Sequence, residues 1–421
     1  MAQMPQGSRR STRDGGAGRR IAWAAGVSAL TGAAAVGAAA ATLGGVALAR
    51  RAVTPTAVPE NPLEVLEVTR DGAKRRSKNS GGGSQRALGT IRLRGVDADL
   101  PGQFSLLFDG TAGHARIGEV LKHRGDVTLR ELVSVERGDL QPGARARITG
   151  WWYTEPEELG YRTEHITYPT ELGEAEAWII SPRRRRKHRW AVHVHGRGAL
   201  PAETLRGVSS LARSGVTSLV ISYRNDPGAP SGEGGRYGVG FSESRDVDAA
   251  IAEALRRGAE RATLVGWSMG GTACLVAATR GTHRGVIDGL ILDSPAVDWD
   301  ALLRYHAAAA SAPDAIARLG VSLLTRGWVR GGEAGGLPIG ELHPETFARA
   351  LDVPVLIHAS RGDTYVPSTG AERLAALRPD LVHLRLHPTA EHVRIWNVDR
   401  ERWERATRTF ARALPHPPWR G

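Results

Sequence analysis

No stretch limits the fold of this chain more than Ala262-Thr263-Leu264-Val265-Gly266-Trp267-Ser268-Met269-Gly270-Gly271. An apolar, β-prone run passes into Gly-x-Ser-x-Gly, and Thr272-Ala273-Cys274-Leu275-Val276-Ala277-Ala278 continues as an apolar helix. Strand, tight turn and helix follow one another directly. A serine at such a turn is held in a strained backbone conformation with its hydroxyl above the sheet edge. Gly266 and Gly270 leave the space that the neighbouring strand and helix occupy. The start of the helix adds partial positive charge and a free backbone N–H beside that hydroxyl, which favours a developing oxyanion. Cys274 is the only cysteine, so no internal disulfide forms, and it reads as a small buried helix residue.

Around this turn the pattern alternates. Glu174 to Ile180, Trp190 to His195 and Thr217 to Tyr223 read as strands, and Glu243 to Arg257 as an amphipathic helix with Val247, Ile251 and Leu255 at four-residue steps. Ala262 to Val265, Gly289 to Leu292, Pro354 to Ala359 and Val382 to Leu386 are further strands. Such alternation predicts a mostly parallel sheet with helices on both faces. A helix-rich, glycine-punctuated insertion from about 298 to 352 interrupts it and is expected to form a lid over the strand ends.

A serine hydroxyl is a poor nucleophile at neutral pH and needs a base, itself oriented by a third group. Past Ser268, one strand runs into a loop carrying Asp363, and the last strand runs into His387-Pro388-Thr389-Ala390-Glu391-His392. The order Ser268, Asp363, His392 is satisfied, with His387 a rival base and Asp293 a rival acid. His193 and His195 read as core histidines bonded to backbone, and Asp226, Glu233 and Arg236 as residues of a loop at the entrance. Trp151, Trp152 and Trp299 read as packing residues.

The Gly-x-Ser-x-Gly turn, His195-Gly196, the Gly362-Asp363 loop and Glu391-His392 together resemble the α/β-hydrolase superfamily. The nearest resemblance is to serine esterases and lipases and to serine aminopeptidase-like hydrolases. Tyr223-Arg224, Gly232-Glu233-Gly234 and Leu292-Asp293-Ser294-Pro295 are similar too, so the likeness runs from about Ile166 to Leu414. It implies acyl-enzyme chemistry with Ser268 as nucleophile, His392 as base and acid, and Asp363 orienting the imidazole. The spacing of that family and the Glu391 neighbour favour His392 over His387. By the same resemblance, the oxyanion hole is formed by the backbone N–H groups of Met269 and Arg197, although Arg197-Gly198 departs from the glycine series of many esterases.

The N-terminal part lies outside the likeness. Residues 1–20 are a basic tail, and Ile21 to Ala49 holds no charged residue, a run of about 29 positions against the ~20 that a membrane span needs. The expectation is therefore an uncleaved transmembrane anchor at 21–49, with a cytoplasmic N-terminus and the catalytic part outside the cytoplasm. Secretion after cleavage near Ala49 is the alternative. Residues 50–87 read as a flexible linker and 88–165 as a small β-rich module of short alternating runs. The catalytic domain is placed at 166–414. The net charge of +12 resides partly in the tail and in Arg183 to Arg189, which suits solvated surface near anionic headgroups. No RNA-binding or zinc-ligand motif accompanies it, so no nucleic-acid partner is expected.

The expected architecture is thus an α/β-hydrolase fold with a small helical lid, preceded by a β-rich module and a transmembrane helix. The expected activity is cleavage of a carboxylic ester, small or lipid-like and moderately apolar, without cofactor or metal. Peptide or thioester cleavage by the same triad, and a catalytically silent scaffold binding a partner through the β-rich module, are the alternatives.

Overall fold

The computed structural model describes residues 41–55, 62–76, 86–184 and 188–414. Its first element is a helix over residues 41–53, α1. Strands β1 (Leu63–Arg76), β2 (Arg86–Arg94), β3 (Phe104–Phe108), β4 (Gly113–Arg124), β5 (Val127–Arg137) and β6 (Arg145–Thr149) then form a closed antiparallel barrel in the order β1-β2-β5-β4-β3-β6. Alternate residues of these strands fill its interior, among them Leu63, Val65, Ile91, Leu93, Phe104, Phe108, Ile117 and Leu132. Closure leaves no free edge strand.

Two departures from the expected boundaries follow. Leu63 to Arg76, read as linker, is the barrel's first strand, and the barrel ends at Thr149. Residues 162–170 form β7 (Arg162–Thr170) of the second sheet instead. The alternation of Leu63, Val65 and Val68 is short, and it gains its meaning only from β2 and β6 on either side.

The second sheet has eight strands in the order β14-β13-β12-β11-β9-β10-β8-β7. These are β7, β8 (Gly173–Ser181), β9 (Arg189–Val194), β10 (Thr217–Ile221), β11 (Arg261–Trp267), β12 (Ile287–Asp293), β13 (Val355–Ser360) and β14 (Val382–His387). Strands β7 and β8 are antiparallel to their neighbours, while β10, β9, β11, β12, β13 and β14 run parallel. Both faces are covered. Ala262 and Leu264 of β11 join the core under α3 (Glu243–Arg256) and α4 (Met269–Arg280), whereas Val265 and Trp267 join the core under α2 (Leu205–Ala212) and α10 (Arg400–Ala413). Between β12 and β13 lie α5 (Trp299–Ala309), α6 (Asp314–Thr325) and α7 (Pro344–Ala350); α8 (Thr369–Leu377) and α9 (Ile395–Val398) complete the chain's helices among the described residues. Strand order reverses at β9, with β10 on one side and β11 on the other, and sites in such sheets form at the strand ends beside this reversal.

The membrane anchor is not supported. Residues 21–40 lie outside the described residues, and no helix among those described is long and apolar enough to cross a membrane. The end of the apolar run is instead α1, which lies on the helical insertion. Gly44 and Gly45 bring it within van der Waals reach of Ile316 and Leu319, and Gly320 of α6 approaches Leu48 in turn. Ala49 and Val53 are fully buried in the main core. Within α1, Gly44 and Gly45 serve close helix packing. The expected single-pass placement is therefore not supported, and Ala49, the alternative cleavage position, lies inside α1.

Candidate active site

Strand β11 ends at Trp267, and the chain turns into α4 through Ser268, whose φ of 51° and ψ of −118° are strained for a residue with a side chain. The turn is this tight because its glycines leave no alternative. A Cβ on Gly270 meets the carbonyl oxygens of Val194 and His195 at 2.4 Å, and one on Gly266 meets Gly270 O at 2.7 Å and Cys274 Sγ at 2.8 Å. Burial pushes the Cys274 thiol up, so it stays a protonated packing group.

The structure brings Ser268, His392 and Asp363 together. His392 Nδ1–H donates to Asp363 Oδ2 at 2.7 Å, which leaves Nε2 to accept the Ser268 hydroxyl at 2.9 Å. The other carboxylate oxygen, Asp363 Oδ1, accepts the backbone N–H of Tyr365 at 2.9 Å and of Val366 at 2.7 Å. Those bonds hold the carboxylate in place against the imidazole. Glu391 accepts Thr364 Oγ1 at 2.8 Å and ties the two loops.

The rival residues have other partners. His387 Nδ1 accepts the N–H groups of Thr389 and Ala390 at 3.2 and 2.9 Å, and burial lowers its pKa. It shapes the turn that delivers His392. Asp293 accepts Trp403 Nε1 at 2.7 Å and the Ser294 hydroxyl at 3.0 Å; burial raises its carboxyl to about 6 against the pull of Arg206. Ser294 Oγ in turn accepts Val393 N at 3.2 Å. Asp293 thus supports the histidine loop from below.

Met269 is the first residue of α4, one of the positions whose N–H has no partner within its own helix. Arg197 follows Gly196, whose N–H donates to Glu203 Oε2 at 2.8 Å. Sequence reasoning missed what holds this loop. His195 was expected to bond only to backbone; its Nδ1–H does donate to Gly196 O at 2.9 Å, but its Nε2 lies 2.8 Å from Asp226 Oδ2 in full burial. Burial pulls the imidazole down, yet the net shift is upward because Asp226 and the Gly196 carbonyl favour the cation. Tyr223 stacks on the ring at 4.2 Å and donates its hydroxyl to Gly196 O at 3.1 Å. Asp226 is therefore a buried partner of His195 at the wall of the cleft between barrel and sheet. The available signal was the placement of both residues just beyond the ends of adjacent parallel strands, β9 and β10. His193 bonds Ser218 Oγ at 2.9 Å and burial lowers it to about 3, so it remains neutral.

The Arg197 side chain joins the end of α1 to the loop that carries Tyr365. It donates to Thr54 O at 2.8 Å and to Arg51 O, and to the Tyr365 hydroxyl at 3.0 Å, while Val53 O accepts Tyr237 N at 2.8 Å. The end of α1 is thereby fastened to the loop beside Ser268. Deleting residues 1–55 re-exposes Ile316 and Leu319 and strips these acceptors, so the melting temperature should fall by about 5 °C or more. An unchanged melt by circular dichroism would place α1 outside the cooperative fold.

The barrel docks on the segment that follows His392. Gln103 N donates to Asn397 O at 3.0 Å, Asn397 Nδ2 donates to Gln103 O and Gly150 O, and Arg394 pairs with Asp97 at 3.2 Å. A cleft of about 1320 Å³ opens between barrel and sheet, with Ser268 and His392 in its wall. Among the described residues no group of three or more His, Cys, Asp or Glu side chains is placed to hold a metal ion.

Residues 191–420 match the family described as the alpha/beta hydrolase family, and residues 84–149 match a domain of unknown function (DUF8805). No curated protein matches the sequence. Similar solved structures include an esterase of Pyrococcus furiosus, 18% identical, with 62% of this chain and 95% of that chain covered at a TM-score of 0.45. Est1E from Butyrivibrio proteoclasticus is 16% identical, covering 58% and 96% at 0.43. An acylaminoacyl peptidase of Pyrococcus horikoshii is 17% identical, covering 76% of this chain and 51% of that one at 0.44.

Proposed function

Since the chain belongs to the alpha/beta hydrolase family, whose match covers more than half of it, we propose that it cleaves a carboxylic ester through an acyl-serine intermediate. The observation carrying this reading is the unbroken relay of 2.9 and 2.7 Å from Ser268 through His392 to Asp363. In the first half-reaction the Ser268 oxygen attacks the ester carbonyl carbon as its proton passes to His392 Nε2. Asp363, its carboxylate already fixed by two backbone donors, balances the imidazolium without taking the proton. Negative charge collects on the former carbonyl oxygen, where the N–H groups of Met269 and Arg197 and the start of α4 receive it. His392 then returns the proton to the departing alcohol. Water, deprotonated by the same imidazole, attacks the acyl-serine and releases the acid.

The loop holding Arg197 needs to be rigid for this, since one oxyanion donor is worth about a hundredfold or more in rate. The His195–Asp226 pair, Tyr223 and Glu203 supply that rigidity in this reading. Trp151, Trp178, Leu107 and Leu200 give the cleft apolar walls suited to an acyl or aromatic body. The test is hydrolysis of 4-nitrophenyl esters of increasing acyl length by the full chain. The expected result is saturable turnover with an optimum at short or medium chains. Absence of turnover across the series would reject ester cleavage and direct attention to peptides or thioesters.

A further inference from the structure

Arg147 is a charged group of the cleft wall that the triad chemistry does not use, and it shares that wall with the carboxylates Glu155 and Glu176. On β6, Ala146 and Ile148 belong to the barrel interior, so Arg145 and Arg147 alternate to the outside, and Arg147 faces the same cleft as Ser268. The other arginines of the cleft wall are engaged. Arg394 pairs with Asp97, Arg206 donates to Asn397 Oδ1 at 2.7 Å, Arg197 holds α1, and Arg137 donates to Ala112 O at 2.7 Å. Arg147 is half-buried, with no hydrogen-bond or ion-pair partner among the described residues, and its Nε is fully enclosed. Burial lowers its pKa, and no nearby carboxylate offsets the shift. A guanidinium kept partly dry without a counter-ion is compensated when a ligand supplies one, and its planar fork suits the two oxygens of a carboxylate or phosphate.

We propose that Arg147 is an anion-binding residue of the cleft, taking a carboxylate or phosphate carried by the substrate at the end remote from the scissile ester. The apolar body of such a substrate lies along Leu107, Trp151, Trp178 and Leu200, between the anion at the barrel and the ester at Ser268. The barrel is then the specificity module of the enzyme. This rests on the esterase reading of Ser268, so the test includes an arm that needs no turnover.

In that arm the full chain is titrated by calorimetry with octanoate, octyl phosphate and neutral octanamide. One or both anions should bind at least tenfold more tightly than octanamide, and the stronger of the two names the oxyanion. Arg147→Gln should weaken anion binding about 10- to 100-fold, the loss expected for a charge-assisted pair. Arg147→Lys should keep part of the affinity and show that the cleft still folds, and Arg145→Gln, on the same strand but exposed, should keep all of it. In the second arm, kcat/KM for mono-4-nitrophenyl suberate relative to 4-nitrophenyl octanoate should exceed one and fall about tenfold in Arg147→Gln. Anion binding without hydrolysis of either ester would retain the Arg147 site and reject the ester reading. Hydrolysis of both esters with a ratio and affinities unmoved by Arg147→Gln would reject the Arg147 site alone.

Discussion

Ser268→Ala should lower kcat for any ester that the full chain hydrolyses by about ten-thousand- to a million-fold, leaving the fold intact. The size of the loss follows from how the relay works: base and acid act only through the serine oxygen, so its removal idles all three groups at once. What remains is the binding and the two N–H donors, which accelerate attack by water only modestly. Stability should barely change. Alanine takes up the same φ of 51° at the same backbone cost, and the serine hydroxyl makes its one side-chain bond to His392, which is part-exposed and finds water instead. Steady-state kinetics and a circular dichroism melt on the same preparation separate a catalytic loss from an unfolded sample. A variant retaining more than a few per cent of the activity would show that another nucleophile does the work.

His392→Ala and His387→Ala should part company. The first removes the group 2.9 Å from Ser268 Oγ and should cost about ten-thousand-fold or more in kcat. The second removes an imidazole that accepts two backbone N–H groups in the turn before it, and its cost falls on stability, about 1–3 kcal/mol for the donors left unpaired. Its kcat should stay within about tenfold, since Asp363 and the Glu391–Thr364 contact still orient His392. Kinetics of both variants, with urea midpoints, read these effects separately. Loss of activity in His387→Ala with retention in His392→Ala would reverse the assignment of the base.

The parts of this architecture legible in the sequence are those written into short stretches. The passage from β11 through Ser268 into α4 could be read locally because two glycines and a strained serine leave one geometry, and Asp363 because it sits in the loop after β13; His392, five residues past the end of β14, was favoured over His387 by the spacing of the resembled family and the Glu391 neighbour. The rest depends on contacts between distant segments. Leu63 to Arg76 looked like part of a tether because its outer residues are charged, and only pairing with β2 and β6 makes it a barrel strand. The described end of the apolar run, residues 41–49, packs on α6, and hydropathy does not distinguish lipid from such a helix flank; the contacts of Gly44 and Gly45 with Ile316 and Leu319 do for this part. The His195–Asp226 bond and the grip of Asn397 on Gln103 likewise join residues far apart in the chain, with no local periodicity to announce them.

The central claim, that Ser268 is the nucleophile, is met most directly by mass spectrometry of the full chain after exposure to a fluorophosphonate. One adduct per molecule, mapped to the peptide containing Ser268 and absent from Ser268→Ala, is the expected result. No adduct, or one that persists in Ser268→Ala, would contradict it.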